Sequence, residues 1–270
     1  MAELTYEKHD GVGLITINRP DRRNALSDTV IEGLTTIFTE SRRDDSVRAL
    51  VLTGAGTAFC AGGDVKREGG GEETWPPSPD RMPSPAAIRV RLADHMHRVP
   101  LALAELDKPV IAAVNGAAVG AGMDLALMCD MRIAARSARF SEAYLRVGLI
   151  PGDGGCFFLP RLVGIAKALE LLLTCEFVDA DEALRIGLVN RVVDDESLLD
   201  ETLALAQKLA SMPPVHVQLT KRAAYQSLRL DLATSLELTA SHMAIARSLD
   251  DSREAIAAFL EKRTGVYTGR

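Results

Sequence analysis

The stretch from Lys108 to Asp130, KPVIAAVNGAAVGAGMDLALMCD, constrains the fold more than any other part of the chain. Its apolar run Pro109–Val114 reads as a buried strand that turns at Asn115-Gly116, passes three glycines within seven residues and enters a helix over Ala121–Cys129. A strand that runs through glycines into a helix leaves bare backbone N–H groups at the turn. Asp124 is the lone charged residue beside them. A second glycine turn, Ala58–Asp64 (AFCAGGD), follows another strand-like run, Ala49–Gly54. Two such turns can each aim one N–H at the same carbonyl oxygen, and two N–H donors make an oxyanion hole.

The rest of the chain divides into strands early and helices late. Val12–Asn18 alternates like a strand until Arg19-Pro20 stops it, and Ser27-Asp28 starts a helix with Ile31, Leu34, Ile37 and Phe38 at helical spacing. Gly69-Gly70-Gly71 and the proline-rich Trp75–Pro85 read as a surface loop over residues 69–85, either a lid over the site or a variable loop. Ala86–Leu106 reads as helical. Further helices are expected over Ile165–Leu173, Ala180–Ile186, Leu198–Ser211, Val215–Leu228, Asp231–Leu249 and Ser252–Lys262. Periodicity alone gives the class α/β.

The 47% apolar content of the 270 residues suffices for a full core, and the formal charge of −6 argues against a nucleic-acid partner. Cys60, Cys129, Cys156 and Cys175 show no metal-like spacing, and Cys60 and Cys129 sit in apolar runs as buried free thiols, which favours a reducing compartment. The N-terminus MAELTYEKHDG has no signal core or transit pattern, so a cytoplasmic location is expected. Competing sites are poor. Gly54-Ala55-Gly56 lacks the third glycine of a dinucleotide fingerprint, His95 and His97 have no third ligand nearby, and no GxSxG elbow occurs. Neither a metal nor a redox cofactor is expected.

With its two glycine turns in this order, the chain closely resembles the crotonase (enoyl-CoA hydratase/isomerase) family. The resemblance runs from Gly13-Leu14-Ile15-Thr16-Ile17-Asn18-Arg19-Pro20 through Asn24-Ala25-Leu26, Gly148-Leu149-Ile150-Pro151 and Ala183–Val189 to Phe259–Arg263. It implies a spiral of repeated β-β-α units over residues 1–200 that carries an acyl-CoA site, and a helical C-terminal region over 201–270 that makes trimer contacts. The homotrimer or dimer of trimers (hexamer) would act in fatty acid metabolism. The apolar Leu232, Leu236, Leu238, Met243 and Ile245 fit such self-association.

Matched motif to motif, the oxyanion donors are the backbone N–H groups of Gly63 and Ala121. The coenzyme A contacts fall on Arg22, Arg23, Asn24, Ala61, Asp64 and Val65, with Phe259 and Lys262 reaching coenzyme A, in some members from the neighbouring subunit. Coenzyme A enters as part of the substrate. The chain departs from the hydratase pattern at its acid–base groups: a glutamate is typical at the position of Asp124, and a second one at the position of Tyr144. Water addition needs a base for the water and an acid for the α-carbon. Glu142, on the same side as Tyr144 if that stretch is extended, or Asp153, in the loop Ile150–Gly155, can replace the missing glutamate; each can instead cap a helix or pair with Arg146 or Arg161. Tyr144 is either a hydrogen-bond donor to substrate or a packing residue. Cys156–Arg161 resembles ring isomerases of phenylacetate degradation, which also use an aspartate in this site.

The leading expectation is therefore an acyl-CoA enzyme that forms a thioester enolate, a hydratase acting on a 2-enoyl-CoA, or a double-bond isomerase using Asp124 as base. A CoA-ester hydrolase or carbon–carbon lyase would release products visible as free CoA or cleaved acyl chains. A non-catalytic acyl-CoA binder would bind tightly without turnover.

Overall fold

The computed structural model describes residues 2–64 and 83–270. Val65, Trp75 and the loop expected over 69–85, except its Pro83–Pro85 end, lie outside the described residues.

The chain opens with a hairpin, β1 (Leu4–His9) and β2 (Val12–Ile17), followed by α1 (Asp28–Ser41), which Ser27 caps through its side chain. From there the path repeats. Each long strand is followed by a tight turn and a short strand, then by a return: β3 (Ala49–Gly54) and β4 (Ala58–Cys60), then α2 (Pro85–Arg91) and α3 (Arg98–Ala104); β5 (Val110–Val114) and β6 (Ala117–Val119), then α4 (Ala121–Met128); β7 (Met131–Ala135) and β8 (Arg139–Ser141). The long strands join a six-stranded sheet in the order β1-β2-β3-β5-β7-β10, parallel from β2 onward. The short ones join a second sheet, β4-β6-β8-β9, parallel from β4 to β8. Successive strands thus climb two sheets in step, which is the spiral of β-β-α units that the resemblance implied.

After β8 the chain forms α5 (Gly155–Val163), α6 (Ile165–Thr174), β9 (Val178–Asp179), α7 (Ala180–Arg185), β10 (Arg191–Val193), α8 (Leu198–Ala210), α9 (Pro214–Ser227), α10 (Leu232–Ser248) and α11 (Asp250–Glu261). The eight helical segments expected from Ala86 onward are present. Ala86–Leu106, however, is α2 and α3 joined by a wider π turn at Leu92–Met96. α5 was not foreseen, because glycines at 154 and 155 and Pro160 all read as helix breakers.

The large sheet is buried on both faces, as parallel sheets are. Ala49 and Val51 of β3 face one cluster, with Leu198, Ala206 and Ala210 of α8; Leu50 and Leu52 face the other, with α1 and α4. The boundary expected at 200/201 falls inside α8, which packs on that sheet. No helix among the described residues is long and apolar enough to cross a membrane. Cys60, Cys129 and Cys175 are buried free thiols, and burial pushes those of Cys60 and Cys129 up to about 12.

Candidate active site

α4 is buried at all eight of its residues, and Asp124 is its one charged side chain. A helix apolar all round belongs to the core, so a carboxylate in it must be held for a purpose or satisfied by partners. Ala121 and Asp124 are three residues apart and share one side of the helix. The helix starts after Gly120, where φ is +53°, and Gly120 N–H donates to Ser141 O at 2.8 Å. That bond pins the helix start to the end of β8, one residue before Glu142.

The two glycine turns lie against each other. At Gly62, where φ is +96°, a Cβ would stand 2.8 Å from Val119 O and 3.6 Å from Ala121 N. Only a bare backbone allows this approach, which brings Gly63 and Ala121 to neighbouring positions. Ala61 N–H donates to Arg23 O at 2.9 Å, Leu26 N–H to Gly62 O at 2.8 Å and Asp64 N–H to Leu26 O at 3.2 Å. Among the described residues these turn bonds leave the Gly63 N–H unengaged, and the N–H of Ala121, first in its helix, has no intrahelical acceptor. The positive end of the α4 dipole adds to them.

The same bonds bring the Arg22–Asn24 turn beside Ala61 and Asp64. Arg22 is half-buried and Arg23 exposed. Asn24 is fully buried: its Oδ1 accepts from Arg19 N–H at 2.9 Å and its Nδ2 donates to Ala55 O and Ala58 O at 2.8 and 2.6 Å. Its side chain therefore shapes the turn from within. Asp64 faces the buried Arg19 at 2.8 Å. Phe259 and Lys262 are exposed at the end of α11, and the tail beyond them is tied at Arg48, which donates to Tyr267 O at 2.7 Å from the N-terminal end of β3.

Three carboxyl groups converge behind the two glycine turns. After Glu142 the chain is not extended, as the same-side reading assumed, but closes a 3₁₀ turn over Ala143–Val147, with Tyr144 N–H donating to Glu142 O at 2.7 Å. This curl still delivers both side chains to Asp124. The Tyr144 hydroxyl lies 2.6 Å from Asp124 Oδ2 and 2.9 Å from Asp153 Oδ2. A Cβ on Gly155 would meet Asp124 Oδ1 at 2.5 Å and the two Glu142 oxygens at 2.8 and 2.9 Å, so both carboxyls crowd its bare face. Those three oxygens are buried without a hydrogen-bond partner among the described residues.

Burial raises the pKa of all three groups. For Glu142 the Asp124 charge pushes the same way; for Asp124 and Asp153 the Tyr144 hydrogen bond opposes part of the rise, and His97 lowers Asp153 further. The cluster thus holds protons near neutrality and can supply an acid beside a base. The alternative ion pairs are not made: Arg161 donates to Phe157 O and stacks on that ring at 3.6 Å, and Arg146 lies over Phe177 at 5.6 Å. His95 and His97 also part company, the first meeting Asp28 at 3.0 Å and the second donating to Gly152 O at 2.9 Å. Sequence reasoning missed Tyr144 as a link between two aspartates, and Gly155 as the space both carboxyls need.

A family model described as enoyl-CoA hydratase/isomerase matches residues 7–270. The chain is 40% identical over 264 residues to a 1,2-epoxyphenylacetyl-CoA isomerase of Escherichia coli, with 96% of each chain covered. It is 38% identical over 262 residues to a short-chain-enoyl-CoA hydratase of Clostridium acetobutylicum, covering 96% of this chain and 95% of that one. Among solved structures, the enoyl-CoA hydratase of Bacillus anthracis superposes with a TM-score of 0.90 at 34% identity, over 99% of this chain and 100% of that one.

Proposed function

Because this chain belongs to the enoyl-CoA hydratase/isomerase family, we propose that it is an enoyl-CoA hydratase, adding water across the double bond of a 2-enoyl-CoA. The observation that carries the reading is the pair of buried carboxyls beside the start of α4, Asp124 with Oδ1 free and Glu142 with both oxygens free among the described residues, next to the Ala121 N–H. The thioester oxygen sits between the N–H groups of Gly63 and Ala121, where negative charge develops as the enolate forms. A water between the two carboxyls gives its proton to one as it attacks the β-carbon; the other protonates the α-carbon. Asp124, with its hydrogen bond from Tyr144, is the base, and Glu142, held neutral by burial and by its neighbour, is the acid. Glu142 so takes the part of the glutamate that Tyr144 displaces. The hydratase relatives support this direction of chemistry.

Coenzyme A lies along the Arg22–Asn24 and Ala61–Asp64 turns, as part of the substrate. Phe259 and Lys262, exposed on α11, act on a neighbouring subunit's coenzyme A in a homotrimer or a dimer of trimers. The test is hydration of crotonyl-CoA, followed as loss of the enoyl-thioester absorbance, with free thiol measured in parallel. Hydration without thiol release is expected; thiol release without hydration would make the protein a CoA-ester hydrolase instead. The presence of an isomerase among the relatives favours a second reading, an acyl-CoA isomerase with Asp124 alone as base, for which the shift of a 3-enoyl-CoA double bond is the simplest case. That reading predicts that Glu142→Gln leaves turnover of a 3-enoyl-CoA intact.

A further inference from the structure

Tyr144 stands where two carboxyls compete for one proton. Its hydroxyl has a single hydrogen, yet it is 2.6 Å from Asp124 Oδ2 and 2.9 Å from Asp153 Oδ2. It can donate to only one of them, so the other contact is attractive only if that carboxyl carries a proton and donates to the phenol oxygen. The Asp124–Tyr144–Asp153 chain therefore holds two protons for three oxygens. It also has a direction. Asp124 is 0% exposed in α4, whereas Asp153, though buried, keeps 7% of its surface open in the loop before α5, which His97 holds through Gly152 O.

Resting on the enolate-forming reading of the site, the geometry points to Tyr144 as a positioning residue that bridges Asp124 and Asp153, so that the two share one proton and Asp153 is the outlet for a proton captured by Asp124. The transfer balances without a charged tyrosine. The O–H bond of Asp124 breaks and its proton binds Tyr144 Oη; the former phenolic proton leaves Oη and binds Asp153 Oδ2. Asp124 ends as carboxylate, Asp153 as acid, and Tyr144 is neutral before and after. Burial, which raises the Tyr144 pKa far above the ordinary phenol value, disfavours a tyrosinate at any stage. The other titratable groups around the bridge are Glu142 beside Asp124, His97 beside Asp153, and the thiols of Cys175, which contacts Glu142 O at 3.3 Å, and Cys156.

The bridge is tested by carboxyl ¹³C NMR titration of the free enzyme labelled at aspartate, which reads it whether or not any enoyl-CoA is hydrated. In the parent protein Asp124 and Asp153 are expected to titrate in two shared steps, as a pair bound to one proton does. Tyr144→Phe removes the donor that favours the Asp124 carboxylate, so the Asp124 midpoint moves up. Asp153→Asn removes a negative charge and offers an amide N–H to the phenol oxygen, so Tyr144 donates to Asp124 alone and its midpoint moves down in a single step. Opposite shifts in two folded variants are not produced by loosened packing. Independent single-step titrations in the parent protein, an unmoved midpoint in Tyr144→Phe, or shifts of the same sign in both variants would overturn the bridge. Crotonyl-CoA hydration by the parent protein, measured separately, tests the underlying reading.

Discussion

Glu142 shows what a single residue contributes to and takes from this molecule. Both of its carboxyl oxygens are buried without a partner among the described residues, and burial followed by the Asp124 charge raises its pKa. Its folded pKa lies above the unfolded value of about 4.3. The stability it contributes is thus fully present below that pH and is lost as pH rises through the folded pKa, because ionisation is opposed in the fold and free in the unfolded chain. Glu142→Gln cannot ionise, so its melting temperature relative to the parent should climb steadily from pH 5 to pH 9. Calorimetry at several pH values checks this; a difference that is flat or falls with pH would mean that Glu142 is not held neutral. Asp124 was legible in the sequence because it is the lone charge of an apolar helix. Glu142 and Asp153 were legible only as alternatives, since what gathers them is a curl after β8 and the bond from Gly120 to Ser141 O, neither of which leaves a periodic trace.

At the scale of elements, α9 is fastened to the large sheet by a largely buried ion pair. Lys221 donates to Asp130 at 2.7 Å and to Lys108 O at 2.8 Å, while Asp130 also accepts from Val110 N–H at 2.7 Å and from the Tyr225 hydroxyl at 2.8 Å. Both charged side chains are 11% exposed. Lys221→Met should cost about 3–5 kcal/mol, since it leaves the Asp130 charge buried without its cation. Lys221→Met combined with Asp130→Asn should recover part of that loss. Urea unfolding reads both, and a single-variant loss below about 1 kcal/mol would show the pair to be solvated. Most helices of this region were legible because their apolar spacing survives on a half-exposed surface. The strands β4, β6 and β8 were not, since three residues are too few for alternation to register, and their sheet forms from segments far apart in the chain.

The whole molecule leaves apolar side chains uncovered at its helical end: Leu232, Leu236 and Met243 on α10, and Ile256, Phe259 and Leu260 on α11, are each more than half exposed. A chain of 29.1 kDa with such faces should sediment as a trimer or a multiple of it at micromolar concentration. Monomer alone would remove the neighbouring-subunit role of Phe259 and Lys262. The spiral itself came from motif order; hydrophobic patterning carried no more than α/β, because strand order in two sheets is set by contacts between distant segments. What unites these scales is one proposed site, in which two glycine turns would face a thioester oxygen and Asp124 would take a proton beside them. The most direct measurement is the steady-state hydration of crotonyl-CoA by Asp124→Asn, with CoA-ester binding measured alongside. Turnover should fall by roughly a hundred- to ten-thousandfold with binding unchanged, whereas turnover equal to that of the parent protein would contradict Asp124 as the base.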